Sequence, residues 1–268
     1  MNATASIRRI LAASLGLALL ATFAHSAAAA AASDWEWTFT PYAWATEVSA
    51  QIDVNDQQVA DQTIELDDLV DATDFTGQID ITARKGRHGA LLDVFYVDLG
   101  SDDARFTLPG PAPIPAVAKT DVRLTIAELG GTFNPRGDGR GLTLVYGLRA
   151  IDRSMDIDAT IPLAPGVALN KTYDLSETLY DALVGVGYAG RINDRWSFKL
   201  RADASTGDTD LTWEAEGDVG YSFGRDSRYT VIAGYRYFDA QFKKADVPAE
   251  VDIDATLQGF LGGLRISF

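Results

Sequence analysis

The chain has 268 residues, no cysteine and a formal net charge of −15. Binding to nucleic acid depends on clustered Lys and Arg, so this acidic balance excludes that class of partner. The lack of cysteine excludes a disulfide scaffold and leaves an exported domain to hold itself together by burial and hydrogen bonding.

At the N-terminus, Arg8 and Arg9 precede an uncharged apolar run from Ile10 to Phe23, and the small residues Ala24 to Ala32 follow. That order is a secretory signal peptide with its cleavage zone, assigned to residues 1–33. A membrane anchor helix is the competing reading, but the run falls short of the roughly 20 residues a helical span needs. Residues 34–268 then form one domain. After Asp34 no apolar stretch is long enough for a spanning helix. The other structure that satisfies every backbone N–H and C=O in lipid is a closed β-barrel.

The strand pattern supports the barrel. From Trp196, one parity reads Trp196, Phe198, Leu200, Ala202, Ala204 and the other Ser197, Lys199, Arg201, Asp203, Ser205. Phe75 to Arg84 and Trp213 to Phe223 repeat the alternation, and a period of two means strands. Strands are expected near 35–48, 75–84, 90–99, 118–133, 142–158, 172–191, 196–206, 211–223, 229–242 and 251–268. The predicted fold is all-β: a single up-and-down antiparallel transmembrane β-barrel of about ten strands, with eight or twelve as alternatives. A soluble sandwich would share the alternation. Full charges in mid-strand favour the barrel, as does an interfacial girdle of Trp35, Trp37, Phe39, Tyr188, Trp196, Tyr221, Phe223, Tyr229 and Phe268.

Short turns are expected at 85–89, 134–139, 192–194 and 224–227, where Gly, Asn, Asp and Pro cluster. Longer loops are expected at 49–74, 100–117, 159–171, 207–210 and 243–250. An even strand count with short turns on one side places the protein in the bacterial outer membrane with both termini in the periplasm. Near Ala150 the outward series Leu142, Leu144, Tyr146, Leu148 gives way to Ile151, Met155 and Ile157 at the other parity. Either a bulge or a strand leaving the membrane would do this.

The final strand, Leu257 to Phe268, has apolar residues at alternate positions and ends on an aromatic. It resembles the C-terminal signature of bacterial outer-membrane proteins, carried here by Phe260, Leu264, Ile266 and Phe268. The resemblance implies that the barrel-assembly machinery reads this strand during insertion into outer-membrane lipid and lipopolysaccharide. The opening Trp37-Thr38-Phe39-Thr40-Pro41-Tyr42-Ala43-Trp44 is similar to that of a group of uncharacterised proteobacterial outer-membrane barrels of small OmpA-like or porin-like type. The acidic Leu66-Asp67-Asp68-Leu69-Val70, the hairpin Arg84 to Gly89 and the segment Tyr146 to Arg149 extend that resemblance over most of the mature chain. It implies no activity.

Catalytic chemistry is hard to place. Hydrolytic outer-membrane barrels lean on a histidine paired with a carboxylate or serine. Here His25 falls in the leader and His88 in a short turn, so no catalytic residue, cofactor or metal site is assigned. The acidic first loop, with Asp53, Asp56, Asp61, Glu65, Asp67, Asp68, Asp71 and Asp74, lacks calcium-loop spacing, and only a loose association with Ca²⁺ or Mg²⁺ is conceivable there. Inward positions by parity hold Glu36, Asp80, Asp93, Glu128, Asp181, Asp203, Glu214, Glu216 and Asp218, against Arg84, Arg149, Lys199, Arg201, Arg236 and Arg265. A narrow barrel is largely filled by its own side chains, and buried charges persist when paired. The expectation is a non-enzymatic structural or surface-interaction protein with a salt-bridged, plugged lumen, its outer loops (Ser49 to Asp74 and Leu108 to Pro115) meeting partners. The alternative is a narrow cation-preferring channel. The oligomeric state is left open.

Overall fold

The computed structural model describes residues 35–54, 57–64, 73–108, 114–164, 167–224, 227–244 and 251–268. Residues 1–33, expected to be a signal peptide, residues 65–72 of the expected acidic loop and residues 109–113 of the proline-rich segment lie outside the described residues. Among the described residues eleven strands follow one another: β1 (Glu36–Val54), β2 (Gln57–Ile64), β3 (Thr73–Lys85), β4 (His88–Leu108), β5 (Ile114–Phe133), β6 (Gly141–Ala164), β7 (Val167–Arg191), β8 (Trp196–Gly207), β9 (Leu211–Phe223), β10 (Tyr229–Lys244) and β11 (Val251–Ser267). Every pairing is antiparallel, and β11 returns to β1 so that the sheet closes on itself.

The closed ring contains ten of these strands, β1 and β3 to β11, as the alternation predicts. β2 stands outside the ring. β1 pairs with β3 only from Glu36 to Pro41, then continues and pairs with β2 from Val48 to Val54. Residues 100–108 and 114–117, and 159–164 and 167–171, expected within loops, instead continue the β4–β5 and β6–β7 ladders. On the way to the second of these extensions the inside–outside contrast fades, because the polar Asp152 and Asp156 join the outward parity of β6. From Asp152 to Ala164 the β6 strand projects ~30 Å, taking about 3.3 Å per residue and a ~40° tilt.

Segment 207–210 departs from expectation in the opposite direction. It is a tight turn in which Gly207 N donates to Thr209 O at 3.2 Å. β8 meets β7 only between Asp181 and Arg191, so the wall is low at β8–β9 and tall beside it.

Near Ala150 there is no bulge. The register of β6 with β5 is unbroken from Leu144 to Thr160, and with β7 from Gly141 to Pro162. What changes at Ala150 is the environment. Outward residues are apolar up to Leu148 and polar from Asp152, while the inward series passes from the buried Arg149 to the buried Ile151.

The outer face carries the apolar band that the alternation requires. All nine girdle aromatics sit on the outward parity at the short-turn end. Tyr96, Tyr180, Trp213 and Tyr237 occupy the outward parity at the other end. From Trp213 to Phe223 the strand climbs about 25 Å at this rise and tilt, the height of the apolar band in outer-membrane barrels. Within the band Tyr146 lies over its register partner Gly131, where an added Cβ would come within 2.6 Å of the ring. In the β3–β4 hairpin, Gly86 takes the positive φ (58°) that a two-residue turn between Lys85 and His88 demands.

Candidate functional site

Three layers fill the bore, and strand parity sets each of them. At the short-turn end a polar vestibule of about 460 Å³ is lined by Glu36, Asp80, Arg84, Lys199, Glu216, Asp218 and Arg265, among others. The β5–β6 turn folds across its mouth. Asn134 Nδ2 donates to the carbonyls of Arg140 and Leu142 at 2.9 and 3.1 Å, while Asn134 Oδ1 accepts from Gly137 N at 2.8 Å. Arg84 ties the turn to the wall by donating to Gly137 O at 2.6 Å, and it also pairs with Glu36. In the same turn Asp138 accepts the Arg140 N–H at 3.0 Å, which holds its carboxyl below the usual carboxylate range.

Above the vestibule lies the ion-pair layer. Arg149 donates to Glu128 from Nε at 2.9 Å and from Nη2 at 2.5 Å, and reaches across to Asp203 at 2.6 Å. Glu214 stands 3.6 Å from the same guanidinium. Arg201 crosses the bore from β8 to Glu128 on β5, and its Nε lies 2.8 Å from Asp203 as an ion pair without hydrogen-bond geometry. Arg236 holds Glu214 at 2.7 Å and donates to the Tyr42 hydroxyl at 2.7 Å; that hydroxyl in turn donates to Asp93 at 2.8 Å. Three guanidiniums thus face the four carboxylates of Asp93, Glu128, Asp203 and Glu214. Arg149 is 0% exposed, and Glu128, Glu214 and Arg236 are each 1% exposed. Taking such charges out of water is tolerated because nearly every one has an opposite charge in contact.

The third layer is apolar. Trp44, Phe95, Ile126, Ile151, Leu179, Phe238 and Leu257 form a buried cluster inside the barrel, with Val48, Leu124 and Phe242 packed against it. Cation–π contacts join it to the charges below: Arg236 over Trp44 at 4.9 Å and Arg149 over Phe238 at 5.2 Å. Interlocked ions and packed side chains thus occupy successive levels of the bore.

The fifteen charged residues singled out by parity all fall on the inward side, but they do not form one network. Arg149, Arg201, Arg236, Asp93, Glu128, Asp203 and Glu214 make the central layer. Arg265 pairs with Asp218 at 2.9 Å nearer the short turns, and Arg84 with Glu36 at the rim. Asp181 is buried opposite Arg149 in register but makes no ion pair with it. It accepts from Thr209 N and Oγ1 at 3.0 and 2.5 Å, and from Ser205 at 3.1 Å, and so anchors the β8–β9 turn. Asp80, Lys199 and Glu216 line the vestibule. Phe260, Leu264, Ile266 and Phe268 all lie on the outward parity of β11, with Phe260 74% exposed. His88, exposed in its turn, packs on Phe133 with ring centroids 5.3 Å apart.

Sequence reasoning missed Tyr42 and the whole apolar layer. Trp44 and Phe238 share the parity of Tyr42 and Arg236, so the signal was present. The same flip that hinted at a bulge near Ala150 recurs at Val97/Asp98 and Phe238/Asp239.

No protein-family model matches the chain, and no curated protein matches it. Solved structures do. The outer membrane protease OmpT from Escherichia coli is similar with a TM-score of 0.53 at 7% identity, over 88% of this chain and 98% of that one. The translocator domain of the autotransporter NalP from Neisseria meningitidis matches with a TM-score of 0.42 at 11% identity, over 87% of this chain and 88% of that one. At identities this low the likeness to OmpT is one of fold: the chain is a closed, ten-stranded antiparallel β-barrel of the architecture found in outer-membrane barrels.

Proposed function

We propose that this chain is an integral protein of the bacterial outer membrane, with a sealed bore and a structural or surface-interaction role rather than an enzymatic one. The observation that carries the reading is the pair of side-chain layers in the bore, the Arg149–Glu128–Asp203 ion pairs and the apolar layer around Trp44 and Phe238. Opening it would require breaking several buried ion pairs, each costing on the order of 3–5 kcal/mol when one partner is lost. The band of outward apolar residues between two aromatic girdles supports placement in lipid, and the outward row ending at Phe268 supports insertion by the barrel-assembly machinery. The resemblance of the Trp37 to Trp44 opening to small proteobacterial barrels fits the same location. In this reading the short turns and both termini face the periplasm, and the β4–β5 and β6–β7 hairpins rise past the lipopolysaccharide to meet external partners.

The orientation has a direct test, because the chain has no cysteine of its own. Asp174→Cys, on the tall β6–β7 hairpin, is expected to react with a membrane-impermeant maleimide on intact cells. Asn193→Cys, in a short turn, is expected to react only after lysis. The reverse pattern would overturn the orientation.

A further inference from the structure

The vestibule is a pocket at the short-turn end, and its charges are unevenly used. Arg84, Arg265 and Asp218 are committed to ion pairs. Asp80, Lys199 and Glu216 also line the cavity; none is in hydrogen-bond or salt-bridge contact with a described residue, although Lys199 lies within electrostatic reach of Asp80, Asp218 and Glu216. Lys199 is opposite Asp218 in the β8–β9 register, but Asp218 gives its Oδ2 to Arg265. The other oxygen of Asp218, on a side chain only 2% exposed, is left without a partner, as is Nε of Arg265. Buried donors and acceptors are rarely left unmade, because each costs free energy until something fills it.

We propose that the vestibule binds a small zwitterion of the amino-acid or dipeptide class, its carboxylate on Lys199 and the open Nε of Arg265, and its ammonium among Asp80, Glu216 and the open oxygen of Asp218. Three observations combine. The groups that lack a direct contact are of both signs, so a simple anion would leave two carboxylates without one and a simple cation would leave Lys199 without one. The described residues contain no His/Cys/Asp/Glu group of metal-holding geometry, which directs the carboxylates toward an organic cation. The volume, about 460 Å³, lies within the range of small-molecule pockets. Leu91, Val145 and Ile232 give the walls an apolar share that would suit a short aliphatic side chain. The ion-pair layer seals the inner end, so the ligand enters and leaves by the short-turn mouth. Binding there goes beyond the structural role proposed above and rests on the same sealed bore only for this single route.

The test is calorimetric titration of the detergent-folded protein with glycylglycine, acetate and methylammonium in parallel. Folding is verified each time by heat-modifiable gel mobility. Saturable binding of glycylglycine, with acetate and methylammonium at least about tenfold weaker, is the expected result. Lys199→Met and Asp80→Asn should each weaken glycylglycine by about tenfold or more while keeping the folded mobility. Absence of saturable heat with folded wild-type protein would overturn the proposal, as would acetate or methylammonium binding as well as glycylglycine. Unchanged affinity in folded Lys199→Met would overturn it too. If a variant does not fold, the wild-type panel alone still decides. The titration needs no bilayer, so its failure is distinguishable from failure of the sealed-bore reading, which conductance tests.

Discussion

Arg149 and Glu128 face each other across β6 and β5 and share two hydrogen bonds through one carboxylate oxygen, at 2.9 and 2.5 Å, with 0% and 1% exposure. Arg149→Met would leave the carboxylates of Glu128, Asp203 and Glu214 facing one another with less cation between them. The loss of stability is expected to be about 3–5 kcal/mol, read from urea unfolding followed by tryptophan fluorescence. Adding Glu128→Gln should recover part of that loss, since the two residues are in contact and their effects do not add. A loss under about 1 kcal/mol would mean that the layer contributes little.

The outer face offers a packing test. Gly131 has no side chain because the Tyr146 ring covers it, with ring carbons 2.6 Å from where a Cβ would sit. Gly131→Val is expected to destabilise the barrel by about 1–3 kcal/mol through overpacking. Tyr146→Ala in the same chain should shrink the penalty. An equal penalty with and without the ring would show that Tyr146 does not rest there.

Much of this molecule was readable from alternation alone. The ten ring strands, the inward charges and the girdle at the short turns follow from a single period of two, because lipid and bore differ so sharply in polarity. Beyond the band that contrast inverts. Asp98, Asp152 and Asp239 point outward while Val97, Ile151 and Phe238 point inward, and a reader who assumes polar-in, apolar-out sees slippage instead of continuity. The pairing partners were equally hidden. Arg149 binds Asp203 two strands away and Arg201 binds Glu128 three strands away, and such reach depends on how staggered strands level their side chains across the bore. Asp181 shows the same limit: parity put it inside, but only the tight turn at Thr209 explains why it anchors a turn instead of an arginine.

The inside and outside positions of the tryptophans can be checked separately. Of the five tryptophans, Trp196 and Trp213 are 42% and 37% exposed on the outer wall, whereas Trp44 is 5% exposed inside the bore. In single-tryptophan variants placed in vesicles of brominated lipid, Trp196 and Trp213 should be strongly quenched and Trp44 spared. Quenching of Trp44 to the same degree would put the parity of β1 on the wrong side.

Depth in the membrane gives a fourth check. Val184, 67% exposed, sits midway between Tyr180 and Tyr188 on β7. Val184→Arg is expected to cost about 2–4 kcal/mol in folding into lipid. Asp174→Arg, on the same strand above the upper aromatics, should change stability by no more than about 0.5 kcal/mol. Equal effects at the two sites would contradict a band bounded by the two girdles.

The sealed bore is the central claim, and single-channel recording in a planar bilayer tests it most directly, with heat-modifiable gel mobility proving that the protein is folded. The ion-pair layer and the apolar layer together predict a silent bilayer for the wild-type chain. Discrete, cation-selective current steps from verified folded protein would contradict the sealed bore and make the lumen carboxylates part of a conducting path.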